Sequence, residues 1–279
     1  FCTAPATGSS CFIIQCGSAV SIPTPGDGTV TAAKIASGAV TTAKIADDNV
    51  TAAKISNNED FTINGITVGK GANSGSQNIA IGDSALDAIT SGGRNTAIGS
   101  NALTDCTSGQ NNVCVGSNAG ENITDSENNV AVGHDAMEEN TTGDNNIAIG
   151  TRALEENTTA SNNTAVGFEA LTANTTGQYN TAIGAYALDA NTTSVSNVAV
   201  GYNSLSTNTT GEKNVSVGTA ALFANTTGSN NVGIGQEALT ANTTGSQNYA
   251  VGRNALAANT TANSQNAFGF EALKTITTA

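Results

Sequence analysis

Residues 163–179 read Asn163-Thr-Ala165-Val166-Gly167-Phe168-Glu-Ala170-Leu171-Thr-Ala-Asn174-Thr175-Thr-Gly177-Gln-Tyr179. Residues 180–196 repeat the pattern as Asn180-Thr-Ala182-Ile183-Gly184-Ala-Tyr186-Ala187-Leu188-Asp-Ala-Asn191-Thr192-Thr-Ser194-Val-Ser196. The glycine recurs at Gly82, Gly99, Gly116, Gly133 and Gly150 on one side and at Gly201, Gly218, Gly235, Gly252 and Gly269 on the other, always 17 residues apart. Twelve copies without insertion or deletion therefore occupy 78–279. A fixed period held over such a length marks a stack of repeats rather than a globular domain.

Each phase of the repeat has a physical reading. One residue before the glycine, eleven of twelve copies are Val or Ile, with Phe268 the exception, so this phase is read as a buried strand position. Two before the glycine the residue is always small, Ala in nine copies and Cys114, Ser216 or Gly233 in the others. Side chains alternate across a strand, so both sheet faces are expected to be packed, with a neighbouring chain against the small-residue face. Pairs such as Ala153-Leu154 and Ala238-Leu239 supply a second apolar wall, broken at Gly120, Met137 and Ser204. Threonine fills one phase without exception, from Thr90 through Thr192 to Thr277, and is expected to form a ladder. The small residue after it, as at Gly143 and Gly177, suits a turn of positive φ.

Gly, Asn and paired Thr in every unit leave no stretch long enough for a stable helix. The expected fold is all-β: an elongated β-solenoid or β-roll of twelve 17-residue repeats with a non-globular N-terminal segment, about 58 Å long at one strand spacing per coil. A coil of 17 residues encloses a thin core of Ala, Val and Leu, so self-association as a cyclic homotrimer is expected to supply further burial.

Composition excludes several classes of function. The 279 residues contain no Trp, 4% aromatics, 31 Gly and 11% charged residues, which is not the make-up of an ordinary enzyme core or of a charge-driven disordered chain. With 22 acidic against 9 basic residues the net charge is −13, so nucleic acid and anionic membrane surfaces are poor partners. No apolar run reaches the roughly eighteen residues of a spanning helix, so no membrane insertion is expected. The chain opens at Phe1 and stops with its twelfth turn unfinished, so it reads as a trimmed piece with further polypeptide beyond Ala279.

The Asn-x-Ala-Ile/Val-Gly-x-x-Ala pattern, as in Asn146 to Ala153 and Asn180 to Ala187, resembles the left-handed parallel β-roll of trimeric autotransporter adhesin heads. With its Asn-Thr-Thr-Gly turns it resembles still more the repeat segments of bacteriophage tail fibres. Upstream, Val30-Thr-Ala-Ala-Lys-Ile35, Val40-Thr-Thr-Ala-Lys-Ile45 and Val50-Thr-Ala-Ala-Lys-Ile55 are similar to shaft-proximal decapeptides of such fibres, and Phe61-Thr-Ile-Asn-Gly-Ile-Thr-Val-Gly69 to the strand that introduces their repeats. The chain is accordingly divided into a Cys-containing collar or linker (1–29), the decapeptides (30–57), a transition strand (58–77) and the shaft (78–279). The resemblance implies a non-enzymatic structural protein of the virion, a homotrimeric shaft that spaces a host-receptor-binding tip and contacts other tail proteins. The alternatives are a trimeric adhesin at the bacterial or extracellular surface and an ice-binding β-solenoid built on the Thr ladder.

Candidate sites are few. His134 is the single histidine and sits in a variable turn phase, so no triad can be built within one chain and no catalytic or cofactor-binding residues are assigned. Glu121, Glu138 and Glu155 share one phase in successive coils, with Glu139 and Glu156 beside them; they form either a weak Ca²⁺ or Mg²⁺ site or a solvated acidic stripe. Phe168, Tyr186 and Tyr202 fall in turn phases of three consecutive coils and are candidate carbohydrate contacts, for instance to host surface polysaccharide, or else pack against a neighbouring chain. Cys2, Cys11, Cys16, Cys106 and Cys114 are the candidate disulfide residues; Cys106 and Cys114 are read either as a pair or as buried free thiols. The Asn-Thr-Thr triplets at Asn140, Asn157 and Asn174 match the glycosylation sequon.

Overall fold

A Val or Ile before eleven of the twelve glycines favours extended backbone, and the Asn and Thr of each unit favour bends, so each 17-residue unit makes one short strand and then turns. The computed structural model describes residues 61–63, 66–69 and 77–275, all within the unit Asn58–Ala279. The collar, the decapeptides and Cys2, Cys11 and Cys16 lie outside the described residues.

Fourteen strands form one sheet in chain order. β1 (Phe61–Ile63) and β2 (Ile66–Gly69) pair antiparallel, and β2 pairs antiparallel with β3 (Ile79–Ile81). The segment 61–69, read as a single introducing strand, is thus two strands, and Asn64-Gly65 between them is the dipeptide that favours a tight hairpin turn. β2 covers the first edge of the stack, an arrangement that blocks open strand addition there.

From β3 onward every pairing is parallel and offset by one repeat: β4 (Thr96–Ile98), β5 (Val113–Val115), β6 (Val130–Val132), β7 (Ile147–Ile149), β8 (Thr164–Val166), β9 (Thr181–Ile183), β10 (Val198–Val200), β11 (Val215–Val217), β12 (Val232–Ile234), β13 (Tyr249–Val251) and β14 (Asn266–Phe268). Ala148 pairs with Ala165 and Ala165 with Ala182, so identical phases stack from coil to coil. The protein is a parallel β-solenoid with a 17-residue turn, as the period requires.

The core is narrow. Leu154, Leu171, Leu188 and their equivalents are fully buried on one wall, and the strand alanines are buried on the other. The two meet directly: a Cβ placed on Gly233, at the small phase, would lie 3.2 Å from Leu222 Cγ. The small residue therefore faces leucine across the interior of its own chain. This corrects the expectation that another chain approaches the small-residue face, and the companion expectation that the β-branched phase is buried. Ile149 and Ile183 are both 41% exposed, and the equivalents in other coils are half-buried or exposed, because a 17-residue coil has room inside only for Ala opposite Leu.

Only three residues per coil are strand, so the turns must satisfy their own backbone groups. Many turn amides donate to carbonyls of the adjacent coil, as Leu171 N–H does to Ala187 O (3.0 Å), and two columns of buried asparagine satisfy groups that these bonds leave over. Four residues before the glycine, Asn146 Oδ1 accepts from Asn163 N–H (2.9 Å) while Asn163 Nδ2 donates to Gly177 O (2.9 Å), and the arrangement recurs from Asn78 to Asn248. Seven after the glycine, Asn157 Nδ2 donates to Asn140 Oδ1 (2.7 Å) and to Ala160 O (3.1 Å). This second column runs to Asn259, whose Oδ1 is the one buried side-chain polar atom without a partner among the described residues. The threonine ladder also forms, with Thr141 Oγ1 donating to Thr158 O (3.0 Å) and Thr175 Oγ1 to Thr192 O (3.1 Å).

Tight coiling is achieved with left-handed backbone at fixed phases. The repeat glycine is one such point: Gly167 has φ 142°, and a Cβ there would meet Gly184 O at 2.5 Å. Buried leucines such as Leu171 (φ 53°) also adopt this region. The positive φ expected at Gly143 and Gly177 is carried instead two residues later, at Asn145 (φ 58°) and Tyr179 (φ 60°). Gly143 and Gly177 occupy a phase where neighbouring backbone comes close.

Asn163→Ala leaves the buried Asn180 N–H without its acceptor and removes one of the two donors to Gly177 O, which keeps Asn174 Nδ2 at 3.0 Å. With one group orphaned, the variant is expected to lose about 1–3 kcal/mol in urea unfolding. Thr159→Ala, at an exposed position, is expected to change stability by less than about 0.5 kcal/mol.

Candidate functional site

Stacking identical phases turns each outward-facing position into a row along the solenoid. Four rows carry chemistry. The first is the outer face of the sheet, where Ile147, Val198, Val215 and Val232 of one column stand beside Ile149, Val200, Val217 and Ile234 of the next. Neither column contains a charged residue from β3 to β14. The strip is about 53 Å long and on the order of 10 Å wide, or roughly 500 Å². The first column also holds Thr96, Thr164, Thr181 and Asn266, so the strip is uncharged without being wholly apolar, and its apolar part lies within what a monomeric surface leaves contiguous.

The second is acidic. Oxygen atoms of Asp135, Glu138 and Glu155 lie within 4.8 Å of one another. The structure thus brings together Glu138 and Glu155 of the expected set with Asp135, a residue sequence reasoning did not single out. Asp135 sits on the turn two residues after its glycine, and only the closed coil swings it beside the carboxylates five residues after theirs. Two positive or ionisable groups already engage the cluster: Arg152 Nε is 2.7 Å from Glu155, and His134 Nδ1 is 2.6 Å from Asp135. His134 is itself largely exposed, in keeping with a turn residue. Partial burial pushes the Glu121 and Glu138 carboxyls above the ordinary range, Asp105 adding to the rise at Glu121 and Asp135 to that at Glu138.

The third row is aromatic. Phe168 and Tyr186 pack edge to face with centroids 5.4 Å apart, and Tyr186 and Tyr202 do so at 6.1 Å. Ladder bonds such as Tyr186 N–H to Phe168 O (3.0 Å) fix their spacing. Beside them Arg152 Nη1 is 2.8 Å from Glu169, and Ser206 Oγ donates to Asp189 Oδ1 (2.5 Å). Partial burial raises the Asp189 carboxyl, with the Ser206 bond working in the opposite sense.

The fourth is threonine. The inner column spends its hydroxyls on carbonyls of the next coil, while the following residue, Thr142 through Thr261 in eight coils, is exposed at a bend.

Among the described residues, the cysteines and the three sequon asparagines are closed to chemistry. Cys106 and Cys114 are buried free thiols, the second of the two readings. Burial pushes Cys106 up to about 11 and raises Cys114 further, so neither supplies thiolate at neutral pH. Cys114 has a packing role: a Cβ on Gly120, where other coils carry Leu or Met, would meet Cys114 Sγ at 2.7 Å and Ile123 Cδ1 at 2.9 Å. The Asn140, Asn157 and Asn174 side chains are fully buried in their ladder, which withholds them from modification in the folded coil.

Among the described residues no helix is long and apolar enough to cross a membrane. Comparison with protein-family models, with curated proteins and with solved structures finds no match.

The raised carboxyls set a pH dependence. A carboxyl whose folded pKa lies above its unfolded one binds protons more tightly when folded, so this patch gains stability as pH falls from 7 through the raised values towards the ordinary 4.5, with no further gain below. Glu138→Gln is expected to raise the melting temperature at pH 7 and to flatten this dependence; a melting temperature that falls steadily from pH 7 to 5 in the parent chain would refute it.

Proposed function

We propose that the chain is a non-enzymatic structural shaft, a rod-forming segment of a phage tail fibre that holds a receptor-binding tip away from the virion. The observation that carries this reading is the unbroken in-register stack of identical coils bearing an uncharged β-branched outer face. Stiffness follows from the stack, because each coil is bonded to the next in strand, turn and side chain alike. The resemblance of the repeats and of the upstream decapeptides to tail-fibre segments directs the reading to a fibre rather than to another kind of solenoid.

The chain functions in this reading as a homotrimer, with the β-branched strip turned towards the threefold axis. A strip of roughly 500 Å² is small beside the ~800 Å² that each partner gives to a standard two-chain interface, and a closed ring adds the flanking turns of two neighbours. Only another copy with the same 17-residue rise matches rows of Val and Ile coil for coil. The buried thiols take no part in assembly.

Light scattering is expected to give three chain masses with and without reductant. Ile183→Lys, which places a charge on the strip without entering the core, is expected to give one chain mass with unchanged secondary structure. A monomeric parent chain, or a trimer indifferent to Ile183→Lys, would overturn the assembly.

A further inference from the structure

We propose that the row formed by Phe168, Tyr186 and Tyr202 is a platform for a neutral linear saccharide laid along the solenoid axis. The solenoid does not need aromatics there: the phase of Phe168 and Tyr202 holds Asp83, Ser100, Thr151, Ala185 and Thr219 in other coils, with the same stacking throughout. Phe168 is 42% and Tyr202 54% exposed, with Tyr186 more covered between them. The two open rings thus stand two coils apart, about 10 Å. In an extended β-linked glycan, alternate sugars present the same face at about that interval, so each open ring meets an equivalent sugar.

The borders of the row supply the polar half of such a site. Arg152 and Glu169, paired at 2.8 Å, occupy the phase of Tyr186 in the two preceding coils, and Asp189, held by Ser206, follows Tyr186 by three residues, so polar groups continue the row on backbone that the ladder has already fixed. Sugar C–H faces stack on aromatic rings while their hydroxyls bond to such groups, and a preorganised surface lowers the ordering cost of binding. Charge selects among ligands: Glu155, Glu169 and Asp189 against one arginine, on a chain of net −13, disfavour acidic polysaccharides and nucleic acids. This inference uses a different row from the β-branched strip and does not rest on the trimer.

The test is calorimetric titration of the full chain with cellohexaose and with chitohexaose, beside polygalacturonate as the anionic probe. Binding of at least one neutral hexasaccharide is expected at millimolar concentration or below, with polygalacturonate inert. Tyr202→Ala is expected to weaken binding about tenfold, the equivalent of one stacking contact, whereas Tyr202→Phe retains it. Tyr179→Ala, at an exposed aromatic outside both the row and the strip, should leave it unchanged. Thermal melts of each variant separate lost binding from lost fold. Failure of both neutral hexasaccharides, binding indifferent to Tyr202→Ala, or loss of the native mass on Tyr202→Lys would overturn the proposal. The last outcome would make the row a subunit contact, while a monomeric parent that still binds sugar would overturn the trimer alone.

Discussion

Everything in this structure depends on the buried amide ladders that join each coil to the next. A three-residue strand satisfies few backbone groups, and although many turn amides bond to the adjacent coil, the bends among the other fourteen residues leave buried groups that those bonds do not reach. Asparagine resolves the problem because its side chain carries both a donor and an acceptor. Asn163 takes the Gly177 carbonyl with its Nδ2 and offers its Oδ1 to the next coil's amide, so one residue ties a turn closed and ties two coils together. In a low-dielectric interior such bonds are strong when made and costly when broken, which is why the columns tolerate few substitutions. Where Ile89, Cys106 and Ile123 replace the second column in the first three coils, apolar packing takes over the same space.

The ladders also maintain backbone strain. Left-handed φ at a buried leucine is unfavourable by about 1–2 kcal/mol in isolation, yet it recurs at Leu154, Leu171, Leu188 and Leu205. The geometry persists because it aims leucine inward over the strand alanines and because the coils on either side hold it in place. The core adjusts by compensation within this frame. Gly120 gives up the leucine side chain where Cys114 and Ile123 are larger than their counterparts, and Ser204 and Ser216 exchange a hydrogen bond where Ala faces Ala elsewhere (2.7 Å).

Periodicity then governs function. A residue placed once per repeat becomes a row, so the outer face is written in columns: β-branched, acidic, threonine and aromatic. Rows that hold across the whole stack, such as Val and Ile on the sheet face, fit an extended interaction with a partner of the same period. Rows confined to a few coils, such as Phe168, Tyr186 and Tyr202, fit a local one. In the proposed reading, the strip and the aromatic row occupy different residues and so do not compete.

The 17-residue glycine period by itself determined the fold class, the number of coils and the direction of pairing, since a period without insertions admits one register. It also placed Phe168, Tyr186 and Tyr202 together, because neighbouring phases in neighbouring coils must meet. Burial was decided only by the tertiary structure. Alternation shows that Ala165 and Val166 point to opposite faces, but which face is inside depends on the width of the closed coil, and leucine from the far wall leaves room only for alanine. The same closure brought Asp135 to Glu138 and Glu155, residues whose phases differ and whose meeting no linear pattern announces. The asparagines were visible as recurrent phases, yet their role was not, because a side chain that replaces a missing backbone partner can be recognised only when the turn it closes is known.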